Sequence, residues 1–153
     1  MPVKGGAKLK AFIRRAKAAQ ATGARKLEVG FYADAKYQDG TPVTNVAAWN
    51  EFGHRGGGGF GPTPERPFFR NSLRDADKLW LPIMKREIDP ATMVVTPTTA
   101  GRMGEEMKSR IQGEITDLKD PPNSPTTLAM KAPKTNPLVV SGFMKASVSY
   151  RVE

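Results

Sequence analysis

The sequence predicts an α+β fold in which a small, mainly antiparallel sheet packs against two or three long helices. Long segments space their apolar residues as helices do, and two short segments, one near each end, alternate apolar with polar residues. The two alternating segments are predicted to pair, with the helices on one face of the sheet. At 153 residues the chain has the length of one domain, 1–153, with a modest core.

The composition narrows the class of protein. The chain has no Cys, so disulfide bonds and thiolate chemistry are excluded, which suits assembly in a reducing cytoplasm. No apolar run approaches the roughly 18 residues that span a bilayer, and the basic N-terminal segment lacks the apolar stretch of a secretory signal. Gly and Pro, at 15 and 13 residues, together exceed the roughly 12% usual for them, which predicts long irregular segments.

The positive charge of the chain is concentrated in residues 1–26. This segment holds eight Lys and Arg residues and no acid, whereas the remainder holds 16 bases and 15 acids. Residues 7–21 are predicted to form an amphipathic helix, which Gly23 ends. The basic side chains outside its apolar face are Lys8, Lys10, Arg14, Arg15 and Lys17.

Three roles are open for this basic helix. It can dock on the domain and leave its basic face in solvent, or that face can bind DNA or an acidic partner. It can also lie on a membrane surface. The apolar face is small and has no Trp, which disfavours the membrane, and we expect no membrane partner.

The first strand and the helix after it are marked by local signals. Residues 26–32 alternate apolar with polar side chains and are predicted to form a half-buried strand. After an Asp-Gly turn, Thr41 is predicted to cap a helix over 42–52 that has Pro42 at its first position. Gly53 is predicted to end this helix, because its last turn usually needs a left-handed residue there.

A longer helix is predicted after the Phe-Phe pair. Asn71 or Ser72 is expected to cap it, and Asp89 to end it. Pro82 lies inside the apolar pattern, so we expect a kink or a restart of the helix there. Residues 92–96 fit a short strand and a simple connection equally well.

The C-terminal third is predicted to hold a helix, an arm and a strand. Residues 99–118 place apolar side chains nearly four apart, which predicts a helix whose Met residues belong to the core. Residues 120–137 contain five Pro and are predicted to form an arm without regular structure. Alternation over 147–152 predicts the final strand, paired with the first.

Residues 54–67 are predicted to be a flexible loop, rich first in Gly and then in Pro. So long a loop is uncommon in a compact domain unless it is used, and we expect it to order on contact with a partner. His54 is the only His, and it lacks the nucleophile or second ligand that catalysis or a metal site requires. The Gly pattern over 56–61 lacks the flanking strand and helix of a nucleotide-binding loop. We therefore expect no enzymatic activity, cofactor or metal.

An ordered set of motifs resembles one known family. The segments are VGFYADAKYQDGTPVTNVAAWNEFG, PERPFFRNSL, PPNSPTTLAMK and NPLVVSGFMKASVSYRV. In this order they are similar to the head–tail joining, or tail-completion, proteins of long-tailed double-stranded DNA phages, which are often described as virion morphogenesis or neck proteins. The set covers roughly half of the chain.

The resemblance implies a structural virion protein and not an enzyme. It implies a homo-oligomeric ring, with six subunits in the family, that connects the portal-connector complex of the head to the tail tube. The implied partners are head connector or adaptor proteins and tail tube or tail terminator proteins. The implied location is the neck of the virion, after assembly in the host cytoplasm, where the basic helix faces genomic DNA in the channel or an acidic ring.

We predict partner contacts at the end of the helix over 42–52, in the loop and at its base. The predicted contact residues are Asn50, Glu51, Phe52, His54, Arg55, Phe60, Arg66 and Phe68. For Phe68 and Phe69, at the base of the loop, a core position is favoured over a partner contact, whereas Phe60 is expected to be exposed and to meet a partner. Two other functions stay open: a tail terminator or other tail-assembly protein, and a DNA-binding protein that acts through residues 1–26.

Overall fold

The computed structural model of this protein describes residues 6–57 and 61–153, without the side chains of residues 6–9. The described residues form seven helices and two strands, which is the α+β class that the sequence predicts. In chain order they are α1 (Gly6–Thr22), β1 (Leu27–Gly30), α2 (Val43–Phe52), α3 (Phe68–Leu73), α4 (Ala76–Glu87), α5 (Pro97–Asp117), α6 (Pro125–Lys131), α7 (Phe143–Ala146) and β2 (Ser149–Val152).

The two strands form one antiparallel sheet. Gly30 of β1 lies opposite Ser149 of β2, and backbone bonds in both directions between Lys26 and Glu153, each 3.0 Å long, extend the pairing beyond the other end. The predicted pairing of the two alternating segments is confirmed. The first strand is shorter than the predicted 26–32, because its partner strand begins only at Ser149, which lies opposite Gly30.

The sheet packs against α5, the longest helix. Side chains on the inner face of α5, among them Met107, Ile111 and Ile115, are buried, which confirms the predicted core face. Where the sheet crosses the helix, Gly104 allows the ring of Tyr150 to lie against the backbone. A Cβ atom at position 104 would come 2.6 Å from Tyr150 Cδ2, so this close approach requires Gly.

The helix α2 begins one residue later than predicted. Pro42 occupies its N-cap position, and no side chain caps the helix. Thr41 instead donates its backbone N–H to Asp39 Oδ1 at 2.9 Å, which makes it part of the preceding turn. Gly53 ends the helix with φ of 75°, as predicted.

The helix predicted from Asn71 is two helices. α3 already begins at Phe68 and ends at Leu73. Before α4 begins, Asp75 adopts a left-handed conformation with φ of 58°. Pro82 lies within α4, which is continuous on both sides of it. The restart therefore occurs at Asp75 and not at Pro82.

Of two segments between helices, one matches an alternative that the sequence leaves open and the other differs from the prediction. Residues 92–96 form a connection and no strand. The segment 120–137, expected to lack regular structure, contains α6, whose N-cap Ser124 accepts from the backbone N–H of Thr127 at 3.2 Å. Pro125 follows at the first helical position, where its missing N–H removes no helical bond.

The basic helix α1 has little contact with the rest of the protein. Phe12 and Ile13, on its apolar side, are 46% and 43% exposed. No other described helix or strand packs extensively against it. Docking of α1 on the domain therefore stays a prediction, whereas its extent and its end before Gly23 are as predicted.

Candidate interaction surface

Glu51 joins the end of α2 to the beginning of α3. Its side chain is buried, and its carboxylate oxygens accept from the backbone N–H groups of Phe69 and Arg70 at 2.8 and 3.1 Å. These N–H groups lie in the first turn of α3, where the helix provides no acceptor for them. The helix dipole also favours a negative charge at this end. The carboxylate therefore explains why α3 begins at Phe68, upstream of the capping residues that the sequence suggests.

Arg70 completes this contact from the solvent side. Its Nε lies 2.7 Å from Glu51 Oε1, and its Nη2 donates to the Glu51 carbonyl at 3.0 Å. Nη2 also contacts the carboxylate of Glu65, and the guanidinium lies 5.4 Å from the ring centroid of Phe52. Hydrogen bonds with Glu51 and then Glu65 raise the pKa of Arg70. Arg70 thus contacts the residues on both sides of the loop over 54–67. The region where α2 ends and α3 begins, around Glu51 and Arg70, is called the loop base.

Arg66 connects the loop to the Pro-rich segment. It is 3% exposed, and it donates from Nε to the Pro121 carbonyl at 2.9 Å and from Nη2 to the Pro122 carbonyl at 3.1 Å. Its backbone N–H donates to the carbonyl of Asn50 at 2.6 Å. No described carboxylate pairs with it, and burial lowers the pKa of Arg66. Neutral carbonyl oxygens therefore hold this buried cation and bring the arm to the loop base.

His54 is held at the loop base. Its backbone N–H and C=O each bond to Thr63 at 2.8 Å, and its Nδ1 accepts from the Gly56 N–H at 3.0 Å. Its ring centroid lies 5.1 Å from that of Trp49. The side chain is half-buried. None of these contacts supplies a nucleophile or a carboxylate.

The structure divides the predicted contact residues into two groups. The exposed or half-buried ones are Asn50, Phe52, His54 and Arg55, and Phe52 is 68% exposed. The buried ones are Glu51, Arg66 and Phe68. Glu51 and Arg66 are covered by their own chain and hold the loop base together, and Phe68 lies in the hydrophobic core. Phe60 lies outside the described residues.

An open groove of about 420 Å³ lies beside the end of β1. Its walls are Val29–Phe31, one face of α2 and the first turn of α3. The predicted contact residues include Glu51, Phe52 and Phe68 of its lining, but not Ala48, which also lines it. These residues come from three elements, and no local signal shows that the three elements meet at one groove.

The cations of α1 form a second, separate surface. Lys10, Arg14, Arg15 and Lys17 are all exposed, and none of them forms an ion pair within the described residues. The side chain of Lys8 lies outside the described part of the chain. No hydrogen bond or ion pair in that part joins this surface to the loop base.

Neither a metal site within the described residues nor similarity to known proteins assigns a function to this chain. Among residues 6–57 and 61–153, no group of three or more His, Cys, Asp and Glu side chains is placed to hold a metal ion. None of the described helices combines the length and the apolar character needed to cross a bilayer. Comparison of the chain with family models, with curated proteins and with solved structures finds no match.

Proposed function

We propose that this chain is a structural virion protein at the head–tail joint of a long-tailed double-stranded DNA phage. In this proposal, identical copies form a ring, with six subunits as the resemblance implies, between the portal-connector complex and the tail tube. Head connector or adaptor proteins bind one side of the ring, and tail tube or tail terminator proteins bind the other. The protein assembles in the host cytoplasm and remains in the neck of the virion.

One observation carries the proposal: the segments that resemble the phage family contact one another. The segment Val29–Phe31, the end of α2 and the beginning of α3 line one groove, and Glu51 bonds the second of these segments to the third. The final strand pairs with the first. The motifs, which follow one another in the chain, therefore also lie next to one another in the fold.

The exposed part of this arrangement suits docking more than catalysis. The groove is mainly apolar, and the large exposed ring of Phe52 stands at its rim. Apolar surface of this kind marks interaction sites on protein surfaces. The side chains that a catalytic site would draw on, His54 and Glu51, are occupied in structural contacts.

Deletion of the gene from the phage that encodes this chain tests the proposal. We expect electron microscopy to show full heads beside unattached tails, and expression of the wild-type chain from a plasmid to restore complete particles. Mass spectrometry of purified wild-type virions should detect the chain. Complete, infectious particles from the deletion strain, or virions that lack the chain, would reject the proposal. Tails of uncontrolled length would instead indicate a tail terminator.

A second candidate function, DNA binding through residues 1–26, is favoured by the exposed and unpaired cations of α1. A DNA-binding protein of this kind binds duplex DNA tightly as an isolated chain, with an affinity that falls steeply with salt. The head–tail proposal expects weak binding by the isolated chain. Fluorescence anisotropy with duplex DNA over a range of salt concentrations separates the two functions.

A further inference from the structure

Within the described chain, each strand of the sheet has one edge without a partner. Lys26 and Glu153 exchange both of their backbone bonds, and in an antiparallel ladder such pairs alternate with pairs that exchange none. Every second residue along the register therefore directs its backbone N–H and C=O away from the sheet. These residues are Leu27, Val29, Tyr150 and Val152. Within the described chain the sheet has only these two strands, so neither outer edge is paired.

We propose that these two edges pair with each other between neighbouring copies, so that β2 of one subunit adds to β1 of the next. The inference rests on the proposed function in that it supplies the contact joining the copies of a ring. An unpaired strand edge readily accepts another strand. Joining two unlike edges gives a heterologous contact, and closure of such contacts into a ring leaves no edge open.

Both edges have room for an added strand. β1 makes extensive contacts only with β2 and α5 among the described elements, and an open groove of about 420 Å³, with α2 and α3 as its other walls, borders Val29, Gly30 and Phe31. β2 makes extensive contacts only with β1 and α5 among the described elements. The two strands are also matched in length, with four residues each.

Charges on the open face of the sheet select one alignment. β1 carries Lys26 followed by Glu28, and β2 carries Arg151 followed by Glu153. If copies pair in the alignment found within the subunit, Lys26 meets Glu153 of the next copy. In the same alignment Glu28 meets Arg151 of the next copy. Opposite charges directly across an antiparallel pair are stabilising.

The neighbouring alignments are disfavoured by the same charges. A slip of two residues is the smallest that keeps each apolar side chain on the helix side of the sheet. In one direction it places Glu28 opposite Glu153, and in the other it places Lys26 opposite Arg151. Like charges directly opposite destabilise a pair. The selected alignment also leaves α5 of every copy on the same side of the continuous sheet.

Cysteine cross-linking between two different variants tests this pairing. Because the natural chain contains no Cys, only the introduced thiols can form a disulfide. Glu28→Cys and Arg151→Cys are prepared separately and mixed, so that only a contact between copies can join position 28 to position 151. After mild oxidation we expect a disulfide-linked dimer of the two variants on a non-reducing gel. Its yield should exceed by about tenfold that of Arg151→Cys mixed with Asn45→Cys, since one interface raises the effective concentration of the thiols. Asn45 is exposed on α2 and provides the matched control.

The other outcomes reject the pairing in distinguishable ways. A dimer formed by Glu28→Cys alone means that two β1 edges meet, which overturns the head-to-tail arrangement. If the unmodified chain sediments as an oligomer but the mixture yields only the control level of dimer, the copies join through another surface, and the ring proposal survives without this contact. A cross-linked mixture from a chain that is missing in virions would support the pairing and reject the proposed function.

Discussion

The Glu51 carboxylate and the Arg70 guanidinium lie 2.7 Å apart, with the Glu51 side chain 6% exposed and that of Arg70 51% exposed. The same carboxylate accepts from two backbone N–H groups of α3. The buried negative charge is therefore compensated by a partly solvated cation and by a helix end together. Since α2 ends and α3 begins at this pair, the loop over 54–67 leaves and rejoins the body at one place.

Substitution Glu51→Gln should destabilise the fold. It removes the charge and turns one acceptor oxygen into a donor that faces the N–H groups of Phe69 and Arg70. Loss of such a buried, charge-assisted contact costs about 2 kcal/mol of unfolding free energy. Chemical denaturation followed by circular dichroism measures it. Glu65→Gln, which removes an exposed partner of Arg70, should cost less than about 0.5 kcal/mol, and equal losses for both variants would contradict this account.

Substitution Arg66→Met should release the Pro-rich segment. The Met side chain keeps much of the stem but leaves the carbonyls of Pro121 and Pro122 without their donor, which costs about 2 kcal/mol. We also expect faster tryptic cleavage after Lys119, because the neighbouring arm is no longer held to the loop base. Limited proteolysis with mass spectrometry follows this cleavage. Arg55→Met, at an exposed position, is the control and should leave the cleavage rate unchanged.

The parts of the fold that local signals determine were predictable. The alternation that gives β1 and β2 is visible in the sequence, and so is the end of α2 at Gly53. The α6 helix was missed although its signal is local: Ser124 followed by Pro125 is an ordinary helix start, and the number of Pro residues around it obscured it.

The contacts at the loop base were not predictable from local signals. The N–H groups at the start of α3 are satisfied by Glu51, which lies 18 residues before Phe69. The carbonyls around Arg66 belong to residues more than 50 positions away in the chain. When its distant partners are unknown, a polar residue next to a loop resembles a residue that contacts another protein. For this reason the sequence predicts Glu51 and Arg66 at an interface.

Two Gly→Ala substitutions in α5 should have opposite effects. Gly104→Ala places a Cβ atom 2.6 Å from Tyr150 Cδ2, so the sheet must shift, and we expect a loss of about 2 kcal/mol. Gly113→Ala meets no atom within 4 Å and should stabilise the helix by about 0.5–1 kcal/mol. Thermal unfolding of the two variants beside the wild type checks both signs. A stabilising Gly104→Ala would mean that β2 does not lie against α5 as described.

Replacement of the α1 cations Lys10, Arg14, Arg15 and Lys17 by Ala distinguishes the two candidate functions. If α1 is the DNA-binding element, each lost phosphate contact lowers the slope of log K against log salt by about 0.9, so the slope should fall by about three to four. The control replaces exposed lysines outside α1, at Lys36, Lys78, Lys85 and Lys119, and changes the net charge equally. Anisotropy titrations with duplex DNA measure both variants.

A loss confined to the α1 variant would assign DNA contact to this helix, whereas equal losses in both variants would mean that only net charge matters. The head–tail proposal expects the isolated wild-type chain to bind weakly with a shallow slope, because its ring presents several copies of α1 at once. In that case the α1 variant should fold and form rings as the wild type does, since the described chain uses none of these four side chains in its ion pairs. A variant that folds but forms no ring would instead place α1 between the copies.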